Sequence, residues 1–301
     1  MKEKNREEIS VVFSFSRMPM MNAKEYMKKF GTSYYFANLF FDGQTRKKVY
    51  ELYAFVRIPD LVVDNAMVTP EAAISQLSEL YDRWLDVYKN HRYDDELYGS
   101  VAKIFHDHHI DFAYSKAFFD AMIQDVHKKR YETYTELQEY MYGSAEVVGL
   151  MMCDIIGCEK DGLPFARKLG EAMQLTNFLR DIKEDYLDFG RIYLPEEDLH
   201  RFGVSYKHIK DFCYTGEINE QFLALMHYYI DKCDDLYFEA MQGLPFLRKG
   251  SRKAVYIAAK LYQEILRKIQ RVGYNVFSHS AKTTRLEKIA VIARYFFGGR
   301  R

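Results

Sequence analysis

Apolar residues recur at three- and four-residue intervals along nearly the whole chain, the period of amphipathic helices. A helix is predicted to begin at Ala23 and run to Lys29. Gly31-Thr32-Ser33 reads as its stop and as the cap of the next helix. Residues 45 to about 65 are predicted as one helix with Val49, Leu52, Tyr53, Val56 and Val63 on apolar faces. Pro59 lies inside it and is expected to bend it or to start a new turn. Thr69-Pro70-Glu71 reads as a helix start, with Thr69 as cap and proline in the first turn of a helix that runs toward Val87. Further helices are predicted over 98–108, 115–128, 135–156, 162–186, 219–241, 251–272 and 282–297. Strand signals are nearly absent, and the longest irregular stretch is 187–218. With no repeat, low-complexity tract or linker in the sequence, residues 1–301 read as one all-α domain.

Composition sharpens this picture in a few places. Six prolines in 301 residues suit long uninterrupted helices, and 48% hydrophobic residues suffice for a deep core. The 25 Tyr and 22 Phe fit either an ordinary core or the lining of an apolar tunnel. Lys and Arg (43) balance Asp and Glu (43), so no global charge attracts nucleic acid, and none is expected as a partner. Cys153, Cys158, Cys213 and Cys233 form no CxxC pair and read as reduced thiols of a cytoplasmic protein. No segment reaches the roughly 18 apolar residues of a membrane span. The charged N-terminus and the short, serine-broken run from Ile9 to Phe15 argue against a signal peptide, and Gly298-Gly299-Arg300-Arg301 carries no apolar anchor.

Two polar stripes sit inside apolar sequence. In Tyr53-Ala-Phe-Val-Arg57-Ile-Pro-Asp60-Leu-Val-Val-Asp64, the two aspartates share a helix face about 6 Å apart along the axis, and Arg57 shares that face. In Gln174-Leu-Thr-Asn177-Phe-Leu-Arg180-Asp181-Ile-Lys-Glu184-Asp185, the residues Asn177, Asp181 and Asp185 repeat every four positions. Two carboxylates on one apolar helix face repel and are costly to bury unless a cation binds them. Magnesium takes oxygen ligands and is held by few carboxylates together with substrate phosphates. Arg57 and Arg180 then suit a departing diphosphate, and the chemistry this favours is ionisation of an allylic diphosphate.

With these residues in view, the chain resembles the squalene/phytoene synthase family. The resemblance rests on Asp60-Leu-Val-Val-Asp64, on the stretch from Gln174 to Asp185, and on Gly190-Arg191-Ile-Tyr193-Leu-Pro195. It extends to Thr32-Ser33-Tyr34, Tyr140-Met-Tyr142-Gly143-Ser-Ala145-Glu-Val-Val148-Gly149, Tyr262 and Gly273-Tyr274, from about residue 27 to 288. It implies the isoprenoid-synthase helical bundle around a central cavity. It also implies condensation of two identical allylic diphosphates through a cyclopropylcarbinyl diphosphate that ionises again. By position, Asp60, Asp64, Asp181 and Asp185 would hold Mg2+ and diphosphate. Arg57 and Arg180 would clamp diphosphate, with Tyr140 and Asn177 also at the reacting centre. Ser33, Tyr34, Gln174 and Tyr262 would line the site, and Ala145, Val148 and Gly149 would border the prenyl tunnel.

Phytoene synthase chemistry on geranylgeranyl diphosphate is the reading favoured here. The alternatives are squalene or dehydrosqualene synthesis from farnesyl diphosphate, and an inactive prenyl-lipid-binding or assembly factor, which retention of all four aspartates opposes. Because such a product is a long hydrocarbon, peripheral contact with a membrane is expected. The sequence departs from the family pattern at Leu61 (often Asp), Phe30 (His in some members), Glu146 (often Gly) and His279 (often Arg). Glu146 reads either as a base or as a residue satisfied by a neighbouring helix. A metal role for His106-Asp107-His108-His109 is disfavoured, because only His106 and His109 can share a helix face and no cysteine lies near.

Overall fold

The computed structural model describes residues 21–297, so the segments at 9–15 and 298–301 discussed above lie outside the described residues. Within them the chain forms fourteen α-helices, and the one extended pairing is an isolated bridge between Cys158 and Leu247. Helices α1 (Ala23–Phe30) and α2 (Thr32–Asn38) meet at Gly31, where a Cβ would strike the Tyr53 ring at 2.6 Å. α3 (Gly43–Val63) starts on Asp42, whose carboxylate accepts from the amides of Gln44 and Thr45. It runs through Pro59 without interruption. α4 (Pro70–Lys89) is capped by Thr69 with Pro70 in its first turn, as expected from the sequence. α5 (Gly99–Asp107) and α6 (Phe112–His127) follow.

The helix expected over 135–156 is divided. α7 (Tyr134–Met141) passes through a π-helical turn at Tyr142–Glu146 into α8 (Val147–Ile156). The turn presses on α6: a Cβ on Gly143 would lie 2.6 Å from the Ala117 carbonyl oxygen. Such turns concentrate at functional sites because they re-aim the side chains that follow. α9 (Leu163–Phe189) is the central helix and ends in left-handed Gly190.

The stretch read as irregular carries two short helices, α10 (Glu196–Arg201) and α11 (Tyr206–Thr215). α11 has a Ser205 cap that the sequence reading passed over. α12 (Glu220–Met241), α13 (Lys249–Arg271) and α14 (Arg285–Phe297) complete the bundle. The aromatic residues serve both purposes foreseen. Phe55, Trp84, Tyr98 and Phe105 fill a closed core between α3, α4 and α5, while others line the cavity described next.

Candidate active site

The bundle encloses a cavity of about 460 Å³. Three of its helices show the same gradient along the wall. On α3 the lining residues are Val49, Leu52, Tyr53, Val56, Arg57, Asp60 and Asp64. On α9 they begin at Phe165, Ala166 and Leu169 and end at Asn177, Asp181 and Asp185; on α13 they pass from Ala254 and Ala258 to Tyr262. Each helix is apolar at one end of the cavity and polar at the other. The α3 stripe from Val49 to Asp64 covers about 22 Å at 1.5 Å per residue. α8 contributes Val148, Gly149, Met152 and Ile156 along the apolar length.

At the polar end, Arg57 forms an ion pair with Asp60 and stands 3.7 Å from Asp64. Arg180 Nε lies 2.7 Å from Asp181 Oδ1. Burial pushes Asp64 up to about 8, with repulsion from Asp60 adding to it. Burial, then Asp181 and Asp64, push Asp185 up to about 8 as well. Burial also raises Asp60, against the pull of Arg57 and Arg191. Asp60 lies in the last turn of α3, and Asp64 is its C-cap. The helix macrodipole is negative there, so these acids stand where a cation is favoured and an anion is not. Among the described residues, no three acidic, His or Cys side chains already converge on one metal position.

Every residue singled out in the two stripes lines this one cavity: Arg57, Asp60, Asp64, Gln174, Asn177, Arg180, Asp181 and Asp185. Tyr34, Tyr140, Ala145, Val148, Gly149 and Tyr262 do so too. Tyr34 and Tyr262 lie with ring centroids 5.0 Å apart, and Tyr34 Oη is 3.6 Å from Met173 Sδ. Ser33 does not reach the wall: it is half-buried, and helical rotation turns it away from its neighbour Tyr34. Beside it, Thr32 accepts a hydrogen bond of 2.6 Å from Lys288.

The departures separate as well. Phe30 lines the cavity under the Arg57 guanidinium, 5.1 Å from its ring centroid. Glu146 is buried on the other side of the π-helical turn, where Arg167 Nε donates at 2.6 Å, so its charge is satisfied there and not in the cavity. His279 is exposed. His106 stacks on Tyr88, and His108 bonds the Asp154 carbonyl and Lys48, so the histidine cluster is not gathered on a metal.

The sequence reading missed Asp125 altogether and gave Arg191 and Tyr193 no role. Asp125 is 4% exposed and lines the cavity, paired with Arg191 at 3.1 Å and hydrogen-bonded by Tyr193 at 2.9 Å. A signal was present: Asp125 shares a helix face with Phe118, Ala121 and Met122, an acid on an apolar stripe.

A family model described as squalene/phytoene synthase matches residues 27–287. The phytoene synthase of Thermus thermophilus is 31% identical over 276 residues, covering 91% of each chain. The chloroplastic phytoene synthase of Daucus carota is 29% identical over 280 residues, covering 88% of this chain. The chain spans 67% of that plant protein's length and 64% of the length of the chloroplastic phytoene synthase of an Oncidium hybrid cultivar, which is 28% identical. Among solved structures, a dehydrosqualene synthase in complex with ligand superposes with a TM-score of 0.82 at 30% identity, over 90% of this chain and 93% of that one. A squalene synthase from Alicyclobacillus acidocaldarius shares the fold, with a TM-score of 0.73 at 20% identity, over 84% of this chain and 93% of that one.

Proposed function

Because this chain belongs to the squalene/phytoene synthase family, we propose that it joins two geranylgeranyl diphosphates head to head to form phytoene. The observation that carries this reading is the cavity itself, an apolar tube ending in four aspartates and two arginines. Such a tube suits a long hydrocarbon tail with a diphosphate at its head. The curated relatives point the same way, since those from Thermus and Daucus are phytoene synthases.

The residues present fit magnesium. Asp60, Asp64, Asp181 and Asp185 supply hard oxygen donors, and Asn177 Oδ1 is buried without a hydrogen-bond partner on the same wall. Diphosphate oxygens and water would complete the ligand set. Bound there, magnesium would neutralise charge on the leaving diphosphate. Arg57 and Arg180 bind the same group and hold it at the polar end. The apolar length binds the tails and excludes water, which would otherwise capture the allylic cation. The second substrate's double bond attacks that cation, and loss of a proton closes the cyclopropylcarbinyl diphosphate. This intermediate loses its diphosphate in turn, and the rearranged cation gives up a second proton to leave the linear product.

A second reading is supported by the dehydrosqualene synthase likeness at 30% identity: the same chemistry on farnesyl diphosphate. One incubation separates them. Purified protein, magnesium and each diphosphate, with and without NADPH, should yield phytoene from the C20 substrate. Turnover of the C15 substrate alone would select the second reading, and turnover of neither would overturn both.

No helix among the described residues is long and apolar enough to cross a membrane. A cytoplasmic enzyme that meets a bilayer peripherally is the arrangement proposed. Met67, three residues past Asp64, and Leu187, two past Asp185, are exposed near the polar end. Leu286 and Ile289 flank Lys288 on α14 and are exposed too.

A further inference from the structure

Two hollows lie back to back across the π-helical turn. The cavity takes Ser144, Ala145, Val148 and Gly149 from one side of the turn and of α8. A second hollow of about 560 Å³ takes Tyr142 and Glu146 from the other side. α9 divides in the same way: Ala166 and Gly170 face the cavity, while their neighbours Arg167 and Glu171 face the second hollow. Thr135, Glu139, Pro164 and Arg167 on the rim of that hollow are exposed, so it is open to solvent. Between the two hollows, backbone meets backbone. A Cβ on Gly170 would lie 2.8 Å from the Ala145 carbonyl oxygen and 3.0 Å from Glu146 Cα. One on Gly149 would lie 2.7 Å from the Ala166 carbonyl oxygen. Glycine permits this close approach but leaves the seam without a side chain of its own to fill it.

On the solvent side the seam is covered by an ion pair. Arg167 Nε donates to Glu146 Oε2 at 2.6 Å, and the guanidinium lies 5.2 Å from the Tyr142 ring centroid. Glu146 is buried and Arg167 is exposed, so the arginine forms the outer layer. On the cavity side of the same turn, Ser144 Oγ is buried without a hydrogen-bond partner. A water that crossed the seam would find a partner there. We propose that Glu146 and Arg167 are positioning residues that hold the π-helical turn against α9 and so keep the water of the outer hollow from the allylic cation. This role rests on the prenyl-synthase reading above and deepens it. Capture by water would form a carbon–oxygen bond at the cation and pass one proton to solvent, ending the reaction as a prenyl alcohol; the diphosphate has by then left with its electron pair. The alternative is that the pair only fastens α9 to the turn, in which case its loss changes stability or rate but not what is made.

The test uses Arg167→Ala, Glu146→Ala and the double variant Glu146→Met with Arg167→Met, incubated in ¹⁸O-labelled water with magnesium and the prenyl diphosphate that the wild type uses. Label in the alcohol marks a carbon–oxygen bond made by solvent. A contaminating phosphatase cleaves the phosphorus–oxygen bond and leaves the alcohol unlabelled. Arg167→Ala opens the seam, and its ratio of labelled alcohol to hydrocarbon should rise about tenfold or more over wild type. The two methionines fill the same space without charge, so the double variant should return the ratio to within about threefold of wild type. An unchanged ratio in Arg167→Ala, whatever its rate, would overturn the proposal, and so would a double variant as leaky as Arg167→Ala. If Arg167→Ala or the double variant does not fold, Glu146→Ala decides alone, because it opens the same seam and removes a buried charge; a rise in labelled alcohol supports the proposal and an unchanged ratio overturns it. A wild type that releases diphosphate from neither substrate overturns the prenyl-synthase reading itself. A wild type that makes hydrocarbon, beside variants with no added alcohol, overturns this inference alone.

Discussion

Four carboxylates facing one cavity are an unstable arrangement for a protein by itself. Two of them are pushed up to about 8 by burial and mutual repulsion, and Arg57 and Arg180 offset only part of the cost. Side chains arranged for stability would not look like this, whereas side chains arranged for a cation and a diphosphate would. Asp181→Ala should therefore lower turnover by about 10²-fold or more, since several kcal/mol of charge stabilisation in the transition state are at stake. Its melting temperature in magnesium-free buffer should be unchanged or lower, because the relief of repulsion on Asp185 is set against an Arg180 guanidinium left without its carboxylate. Steady-state kinetics and thermal melts check both halves, and near-normal activity in Asp181→Ala would remove aspartate-bound metal from the mechanism. The two stripes were legible in the sequence because their polar residues break an apolar helix pattern twice at the same interval. Asp125 was not, because a single acid on an apolar face looks like any other until Arg191 and Tyr193 are brought to it from a distant segment.

At the scale of helices, small residues are constrained by backbones as much as by substrate. A Cβ on Gly149 would lie 2.7 Å from the Ala166 carbonyl oxygen of α9. The sequence reading gave Gly149 the task of leaving room for the tunnel. The structure adds that α8 and α9 can approach this closely only with glycine there. Gly149→Ala should cost about 1–3 kcal/mol of stability, read from denaturant midpoints, as the helices are forced apart. A second prediction concerns α14. Glu287 accepts from Lys268 and from the Thr284 amide, which hold its carboxyl down at about 2. A folded value below the unfolded one near 4.5 means that the stabilisation is full above about pH 4.5 and is lost as the pH falls toward 2. Glu287→Gln should melt earlier than wild type at pH 7, and the difference should shrink as the pH falls from 4.5; a difference independent of pH would contradict this. Helix positions were largely readable because periodicity is local. The π-helical turn at Tyr142–Glu146 was not, since it depends on how Gly143 packs against Ala117, and α10 and α11 were too short to show a period.

For the whole molecule, the apolar residues near the polar end bear on how a water-insoluble product leaves. If Met67, Leu187, Leu286 and Ile289 meet a bilayer, the protein should sediment with lipid vesicles, and Leu286→Glu with Ile289→Glu should reduce that binding. Equal sedimentation of the variant would place the contact elsewhere. The length of the cavity sets the last prediction. Each CH₂ buried contributes about 0.8 kcal/mol, so the five extra carbons of a C20 tail are worth about 4 kcal/mol where the tube accommodates them and nothing where it is blocked. Ala145 follows Ser144 at the polar end of the α8 wall, so enlarging it narrows the route of either tail. Ala254 and Asn38 stand at the other end, beside Leu247 and Phe41. Ala254→Phe should therefore reduce turnover of geranylgeranyl diphosphate more than that of farnesyl diphosphate. Asn38 should act in the opposite sense. Its Nδ2 donates to the Arg46 carbonyl, but its Oδ1 is buried without a hydrogen-bond partner on the wall that a long tail would touch. Asn38→Leu replaces that unpaired polar atom with an apolar surface and should raise the C20 to C15 activity ratio. The two ratios, measured in competition so that general loss of activity cancels, must move apart. If both stay at the wild-type value, the tail does not reach this end of the cavity, and the shorter C15 substrate is the one the tube is built for.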